Sequence, residues 1–296
     1  MYLRYQKEYE RLLAIFAIFF IILLSSCRNS NTDFDKINLS SISDISQIDL
    51  SNFVDGISYI PLETNETNLL GYISKIIISD QFLYVRDNRN LHLFSRDGKY
   101  ISQVGVRGKG PGELLFIHYF FNGDLHCREI HSDTIFTFKN NEFIPKYIFN
   151  QGHRRLTPEV RGNGRYFNEN GADYIRISHI YETSSLIFIS YWWETQGYYL
   201  IKDKKDGEEF VFDPRNGLKN DIDGGLNFIP QFSITQNNSE YIVMWADAFK
   251  IKNHTDDNEF IDLITQFPEK KIQLEQLAAE ISENDNPVLI LGRLRD

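Results

Sequence analysis

Apolar and polar positions alternate in short runs through most of this chain. The clearest stretch is Gln81–Leu114, where Phe82–Arg86, Leu91–Phe94 and Tyr100–Val104 alternate between polar turns at Asp87-Asn88-Arg89-Asn90 and Arg96-Asp97-Gly98-Lys99. A period of two places successive side chains on opposite faces of a strand, and Asn, Asp and Gly between such runs signal hairpins. The stretch closes on Gly105, Gly108, Gly110 and Gly112, interrupted by Pro111. With Tyr72–Ile78 as a fourth strand in front, this is the plan of one propeller blade.

The same plan recurs. Phe116–Phe120, Leu125–Glu129, Thr134–Phe138 and Phe143–Phe149 read as a second blade, with a hairpin signal at Asn122-Gly123. Tyr174–His179, Leu186–Trp193, Tyr198–Lys202 and Glu209–Phe212 read as a third; Phe228–Thr235, Tyr241–Ala246 and Phe249–Lys252 give most of a fourth. Gln151–Ala172 reads as loops, Ile57–Leu62 as a first strand and Pro287–Leu294 as a last one. One helical period stands out: Glu269–Ser282 sets Ile272, Leu274, Leu277, Ala278 and Ile281 near one face. The expected fold is an all-β propeller of four-stranded antiparallel blades over residues 53–296, with one C-terminal helix. Blades of about 40–50 residues leave room for five or six, whereas the legible strands supply four or five.

The first residues predict an address. Arg4, Lys7 and Arg11 precede the unbroken apolar run Leu12–Leu24, which Ser25-Ser26-Cys27 follows. The run is short of the roughly 20 residues a spanning helix needs and suits a signal peptide. Leu24-Ser25-Ser26-Cys27 resembles a bacterial lipobox, which implies cleavage after residue 26 and acylation of Cys27. The expected divisions are a signal peptide over 1–26, a flexible Ser-, Asn- and Asp-rich tether over 27–52, and the propeller. That places the chain in the bacterial cell envelope, held to a membrane by lipid on the periplasmic or surface face. With Cys27 acylated, Cys127 has no disulfide partner, so stability must come from core burial.

Composition narrows the partners. A formal net charge of −10 without a Lys/Arg block disfavours nucleic acid, which needs a basic face. The aromatic content, 14%, suits pleated, half-buried surfaces.

Several motifs together carry a family likeness. Tyr59-Ile60-Pro61-Leu62-Glu63-Thr64, Phe94-Ser95-Arg96-Asp97-Gly98-Lys99, Gly105 through Glu113, Asp133-Thr134-Ile135-Phe136, Asp223-Gly224-Gly225 and Asn286-Pro287-Val288-Leu289 occur in that order. The chain resembles the six-bladed β-propeller lipoproteins of Gram-negative bacteria, with NHL-like repeats. Only about twenty residues separate the Gly-Pro-Gly-Glu turn from the Asp-Thr-Ile segment, where the resemblance implies several blades, so the chain looks like a shortened member. The resemblance implies exported, lipid-anchored propellers and no particular reaction.

Candidate chemistry is sparse. The glycine cluster at 105–112 lacks the Gly-Lys-Ser/Thr ending of a phosphate loop and reads as a crossing between blades. His126, Cys127, Glu129 and His131 have ligand chemistry, but alternation sends His126 to the opposite face from the others. Asp221-Ile222-Asp223-Gly224-Gly225 fails the calcium-loop frame and reads as a turn. No metal or other cofactor is expected. The best binding feature is Tyr191-Trp192-Trp193-Glu194 with Tyr198, because aromatic faces beside carboxylates suit sugar rings. Alternation groups Trp193 with Tyr191 and Ile189 as packing residues and leaves one Trp for a ligand. Trp192, Trp193, Glu194 and Tyr198 are therefore the ligand-binding candidates. The expected function is binding of an oligosaccharide, peptide or partner protein rather than catalysis. The alternatives are a hydrolase or lyase with its site on the central axis, or a degenerate inactive copy.

Overall fold

The computed structural model describes residues 35–40, 45–66, 68–78, 82–87, 90–106, 116–122, 124–129, 132–139 and 142–295. The chain divides into two compact units, Met1–Asp35 and Lys36–Asp296. Of the first, only Asp35 is described, so the expected signal peptide and Cys27 lie outside the described residues, as does most of the glycine cluster. All that follows concerns the second unit.

Among the described residues its strands form four sheets, with antiparallel pairing from β2 to β17. Sheet 1 holds β3 (Lys75–Ile78), β4 (Phe82–Arg86), β5 (Asn90–Ser95) and β6 (Tyr100–Val106). Sheet 2 holds β7 (Phe116–Phe121), β8 (Asp124–Glu129), β9 (Thr134–Lys139) and β10 (Glu142–Asn150), with β1 (Asp35–Asn38) added beyond β10. Sheet 3 holds β11 (Arg176–Glu182), β12 (Leu186–Trp193), β13 (Gln196–Asp203) and β14 (Glu209–Phe212). Sheet 4 takes β15 (Phe232–Gln236), β16 (Ser239–Ala246) and β17 (Val288–Leu294), and its outer strand is β2 (Val54–Pro61) from the other end of the chain. The β17–β2 ladder thus ties the first strands to the last. The arrangement is propeller-like, as expected, with four sheets among the described residues.

Among the described residues three apolar cores join these sheets. One joins sheets 2 and 3 through Ile135, Tyr147 and Phe149 against Ile187, Ile189 and Tyr191. A larger one joins sheets 3 and 4 through Phe188, Tyr199 and Phe212 against Ile242, Met244 and Ile290. The third joins sheets 4 and 1 through Val243, Leu289 and Leu291 against Leu83, Val85 and Phe94. Each such side chain, taken from water, contributes about 1.5–3 kcal/mol. Strands covered on both faces lose their alternation: Leu186–Ile189 and Val288–Leu291 are continuous apolar runs, all buried. Strands of sheets 1 and 2 keep it, because one face of each is less covered. Among the described residues no apolar core joins sheet 1 to sheet 2.

The expected elements need four corrections. Gln151–Ala172, read as loops, carries two short helices, α1 (Pro158–Gly162) and α2 (Gly164–Asn170). They start where Thr157 and Asn163 side chains accept from Val160 N and Tyr166 N. Phe249–Lys252, read as a strand, lies in α3 (Ala248–Thr255), whose Ala248 and Ile251 are buried at helical spacing. The expected single C-terminal helix is therefore three: α3, α4 (Asn258–Ile261) and α5 (Pro268–Glu280), all inserted before the last strand. In α5 the covered face is Leu274, Leu277, Ala278 and, just past its end, Ile281, while Ile272 is exposed because it sits off that stripe. Finally, within the stretch read as a flexible tether, Ile37, Leu39, Ile48 and Leu50 are buried despite the polar residues around them.

A loop from Asn220 to Gly225 fastens the first strands to the helices. Asp221 accepts from Ser51 N and Oγ and from Gln266, and Asp223 accepts from Tyr59 Oη at 2.8 Å, Asn220 Nδ2 at 2.7 Å and Gly225 N at 2.9 Å. Gly224 has φ of +76°, and a Cβ there would stand 2.7 Å from Leu263 Cδ2. This is the aspartate loop that fails the calcium-loop frame, and its carboxylates are taken up by protein donors.

Candidate functional site

Sheet 3 carries a carboxylate at each end, and their surroundings differ. The open end is built by the β12–β13 hairpin. Trp193 pairs with Gln196, so Glu194-Thr195 forms a two-residue turn. Glu194 has φ of +52°, a left-handed conformation that Gly or Asn adopts at less cost. Two bonds hold it there: its N–H donates to Ala172 O at 2.7 Å and its carbonyl accepts from Arg176 Nη2 at 3.1 Å.

Two clefts meet at Glu194. The larger, about 630 Å³ and open to solvent, is lined by Phe167 and Glu169 of α2, Arg176 and Ser178 of β11, and Trp192 and Glu194. The smaller, about 400 Å³, is lined by His153, Arg154, Asp173, Tyr174, Trp193 and Glu194. Neighbouring tryptophans on one strand point to opposite faces, so Trp192 serves one cleft and Trp193 the other. Trp192 is 48% exposed, and its ring is placed over Gly197, where a Cβ would stand 3.8 Å from the indole and 3.4 Å from Pro214. Trp193 is half-buried under the Arg154 guanidinium, 3.7 Å from the ring centroid. Tyr198 is buried, stacked on Tyr191 with centroids 5.4 Å apart, and burial with the nearby Glu194 raises its hydroxyl pKa.

Of the four sequence candidates, Trp192, Trp193 and Glu194 border open clefts, while Tyr198 is part of the packing beneath them. Sequence reasoning missed Phe167, Glu169 and Arg176, which come from segments read as loops or plain strand. Asn163, an N-cap residue type whose side chain accepts from Tyr166 N, was the available signal for a helix bordering the hairpin.

The closed end centres on Glu182, at the end of β11. Its Oε1 accepts from Lys146 Nζ at 2.5 Å and Tyr119 Oη at 3.0 Å; its Oε2 accepts from Lys204 Nζ at 2.6 Å and Tyr147 Oη at 3.0 Å. His126, stacked on Tyr119 and bonded to Thr137, lies 3.7 Å away. Burial raises the Glu182 pKa, but hydrogen bonds and charge from Lys146 and Lys204 outweigh it, leaving the group below the ordinary glutamate value. Burial, with Lys146, lowers His126, so that imidazole is neutral at pH 7. Cys127 lies on the other face of β8, half-buried, with its thiol pKa raised by burial.

The family pattern described as a domain of unknown function, DUF4934, matches residues 34–121 and again 116–293. The chain belongs to that family. The match does not carry the finer six-bladed, NHL-like assignment. A protein from Bacteroides fragilis NCTC 9343 described as exported has a similar structure, with a TM-score of 0.62, 13% identity, and coverage of 89% of this DUF4934 chain and 100% of that one. At that identity the likeness speaks for the fold alone. The N-terminal domain of Nup159 is matched with a TM-score of 0.24 at 13% identity, over 58% of this chain and 46% of its own. An S. cerevisiae complex of Dbp5 with Nup159 gives 0.24 at 13% identity, over 58% and 45%. Likenesses that weak carry no argument. No curated protein matches the chain.

Proposed function

We propose that this chain is an exported, lipid-anchored binding protein of the propeller type, whose ligand site is the cleft between Trp192 and Glu194. The carrying observation is a large aromatic face left 48% exposed and fixed in place beside a carboxylate, in a cleft of ordinary ligand-site size, about 300–1,000 Å³. A sugar ring offers an apolar C–H face for the indole and hydroxyls for Glu194, Glu169 and Arg176. Two carboxylates against one guanidinium favour neutral oligosaccharides over acidic ones. Export is supported by the apolar run before Cys27 and by the description of the B. fragilis protein; lipidation is supported by the Leu24–Cys27 motif.

The test is a tryptophan-fluorescence titration with neutral tetrasaccharides (cellotetraose, maltotetraose and mannotetraose) beside polygalacturonate. A neutral glycan is expected to bind, and Trp192→Ala to weaken it at least tenfold, about 1.4 kcal/mol, with melting unchanged. Unchanged affinity in Trp192→Ala contradicts the site. For the anchor, Cys27→Ser should abolish fatty-acid labelling, and labelling that persists rules it out.

A second reading rests on Glu169 and Glu194 lining one cleft: such a pair serves glycoside hydrolysis as acid and base. Release of shorter products from a bound tetrasaccharide would favour it.

A further inference from the structure

The three apolar cores follow one another in the order sheet 2, 3, 4, 1, and each end of that order presents an apolar face. On sheet 2 the face opposite the core carries a cross-strand row, Phe120–Leu125–Phe138–Phe143. Phe120 and Phe143 are 71% and 63% exposed. Beside this row Cys127 pairs with Phe136, half-buried. On sheet 1 the corresponding row is Ile77–Tyr84–Leu93, with Ile77 51% exposed. These are the residue types that make the joints already formed, and a monomer ordinarily leaves few contiguous aromatic patches in water.

We infer that a second copy of this chain covers both faces: sheet 1 of each copy packs on sheet 2 of the other, in a two-fold dimer.

Four observations select this occupant. First, the free faces are the next members of a series the chain itself builds three times, so sheet 1 and sheet 2 are the two halves of one more such joint. Second, the charges oppose: Lys75 and Arg86 stand beside the sheet 1 row, and Glu129 stands beside the sheet 2 row. Arg86 and Glu129 each end the second strand of their sheet and are exposed, so both lie at the same end of a joint of this kind. Third, the two stretches matching the family pattern overlap at 116–121, which is β7, the first strand of sheet 2, so one stretch ends and the next begins where the chain enters that sheet. Fourth, sheets of four strands in two copies make eight, within the four-to-eight-blade range of closed propellers. A head-to-tail contact that closes by two-fold symmetry leaves no further face to grow from.

Two full-length copies with different affinity tags, expressed together and purified in mild detergent, test this. Wild-type copies should capture each other. Phe120→Glu/Phe143→Glu on sheet 2 and Ile77→Glu/Arg86→Glu on sheet 1 should each reduce self-capture by about tenfold or more, as expected for interface-centre groups. Because the changed residues are exposed, melting temperatures should stay within a few degrees. The decisive arm mixes the two variants: one intact sheet 1 meets one intact sheet 2, and capture should return. Wild-type copies that do not capture each other overturn the inference, as does a mixture that stays apart. A sheet 1 variant that still captures itself also overturns it, since the contact is then sheet 2 on sheet 2.

Discussion

Glu182 and Glu194 stand at opposite ends of sheet 3, yet one is fully enclosed by donors and the other is presented to solvent. Glu182 has four donors on its two oxygens, two of them cationic, and joins sheet 2 to sheet 3. Glu194 is exposed, and its backbone is held in a conformation unfavourable for a glutamate. The difference separates a carboxylate that serves structure from one that, under the proposed function, meets the ligand. A side chain that costs backbone strain and has no structural work is most simply explained by what it binds.

Removing each carboxylate in turn tests the contrast between the two ends of sheet 3. The largest effect is expected for Glu182→Gln, which leaves Lys146 and Lys204 around a neutral amide. Stability should fall by about 3 kcal/mol, measured by urea unfolding, while glycan binding is unchanged in the folded fraction. The pH dependence should change as well. Because the Glu182 pKa is lowered on folding, its contribution is present above the ordinary value of 4.5 and is lost as pH falls through the folded value. Glu182→Gln should therefore flatten the acid limb of the stability curve below pH 4.5. An acid limb unchanged in the variant would mean that Glu182 does not drive the loss of stability in acid.

Asp223 gives a smaller effect of opposite sign. It is as buried as Glu182, but its donors are a phenol, an amide and a backbone N–H. Burial prevails over those hydrogen bonds and raises its pKa above 3.8. Its contribution is full below that value and is lost as pH rises through the folded pKa. Asp223→Asn should change neutral-pH stability by no more than about 1 kcal/mol and leave the acid limb in place. A loss near that of Glu182→Gln would mean that the charge on Asp223, not its hydrogen bonds, holds the loop.

The smallest stability effect is expected at Glu194. Glycine adopts a positive φ without the steric cost, so Glu194→Gly should leave stability unchanged or raise it by up to about 1 kcal/mol.

Much of this was legible in the chain, for physical reasons that differ by region. Hairpins in sheets 1 and 2 are clear because their strands alternate, and they alternate because one face is less covered. The Glu209–Phe212 strand reads correctly to the residue. Alternation also separated Trp192 from Trp193 and His126 from Cys127. Phe249–Lys252 misled because four residues of mixed polarity fit either period, and the neighbouring helix α5 decides between them. The network around Glu182 was not legible: Tyr119, His126, Lys146 and Lys204 come from four separate strands and turns, and only the fold brings them together. Nor does any sequence rule place a glutamate at positive φ. That feature, which most distinguishes the open end of sheet 3, is a property of the folded hairpin alone.

The most direct test of the open end as the ligand site is one titration on two variants, Glu194→Gly and Glu182→Gln, with the neutral tetrasaccharide that binds the parent chain, read by tryptophan fluorescence beside a melting curve. Glycan affinity is expected to be at least tenfold weaker, about 1.4 kcal/mol, in Glu194→Gly with melting equal or higher, and to equal the parent's in folded Glu182→Gln with melting lowered. Parent affinity in Glu194→Gly would contradict the open end as the ligand site.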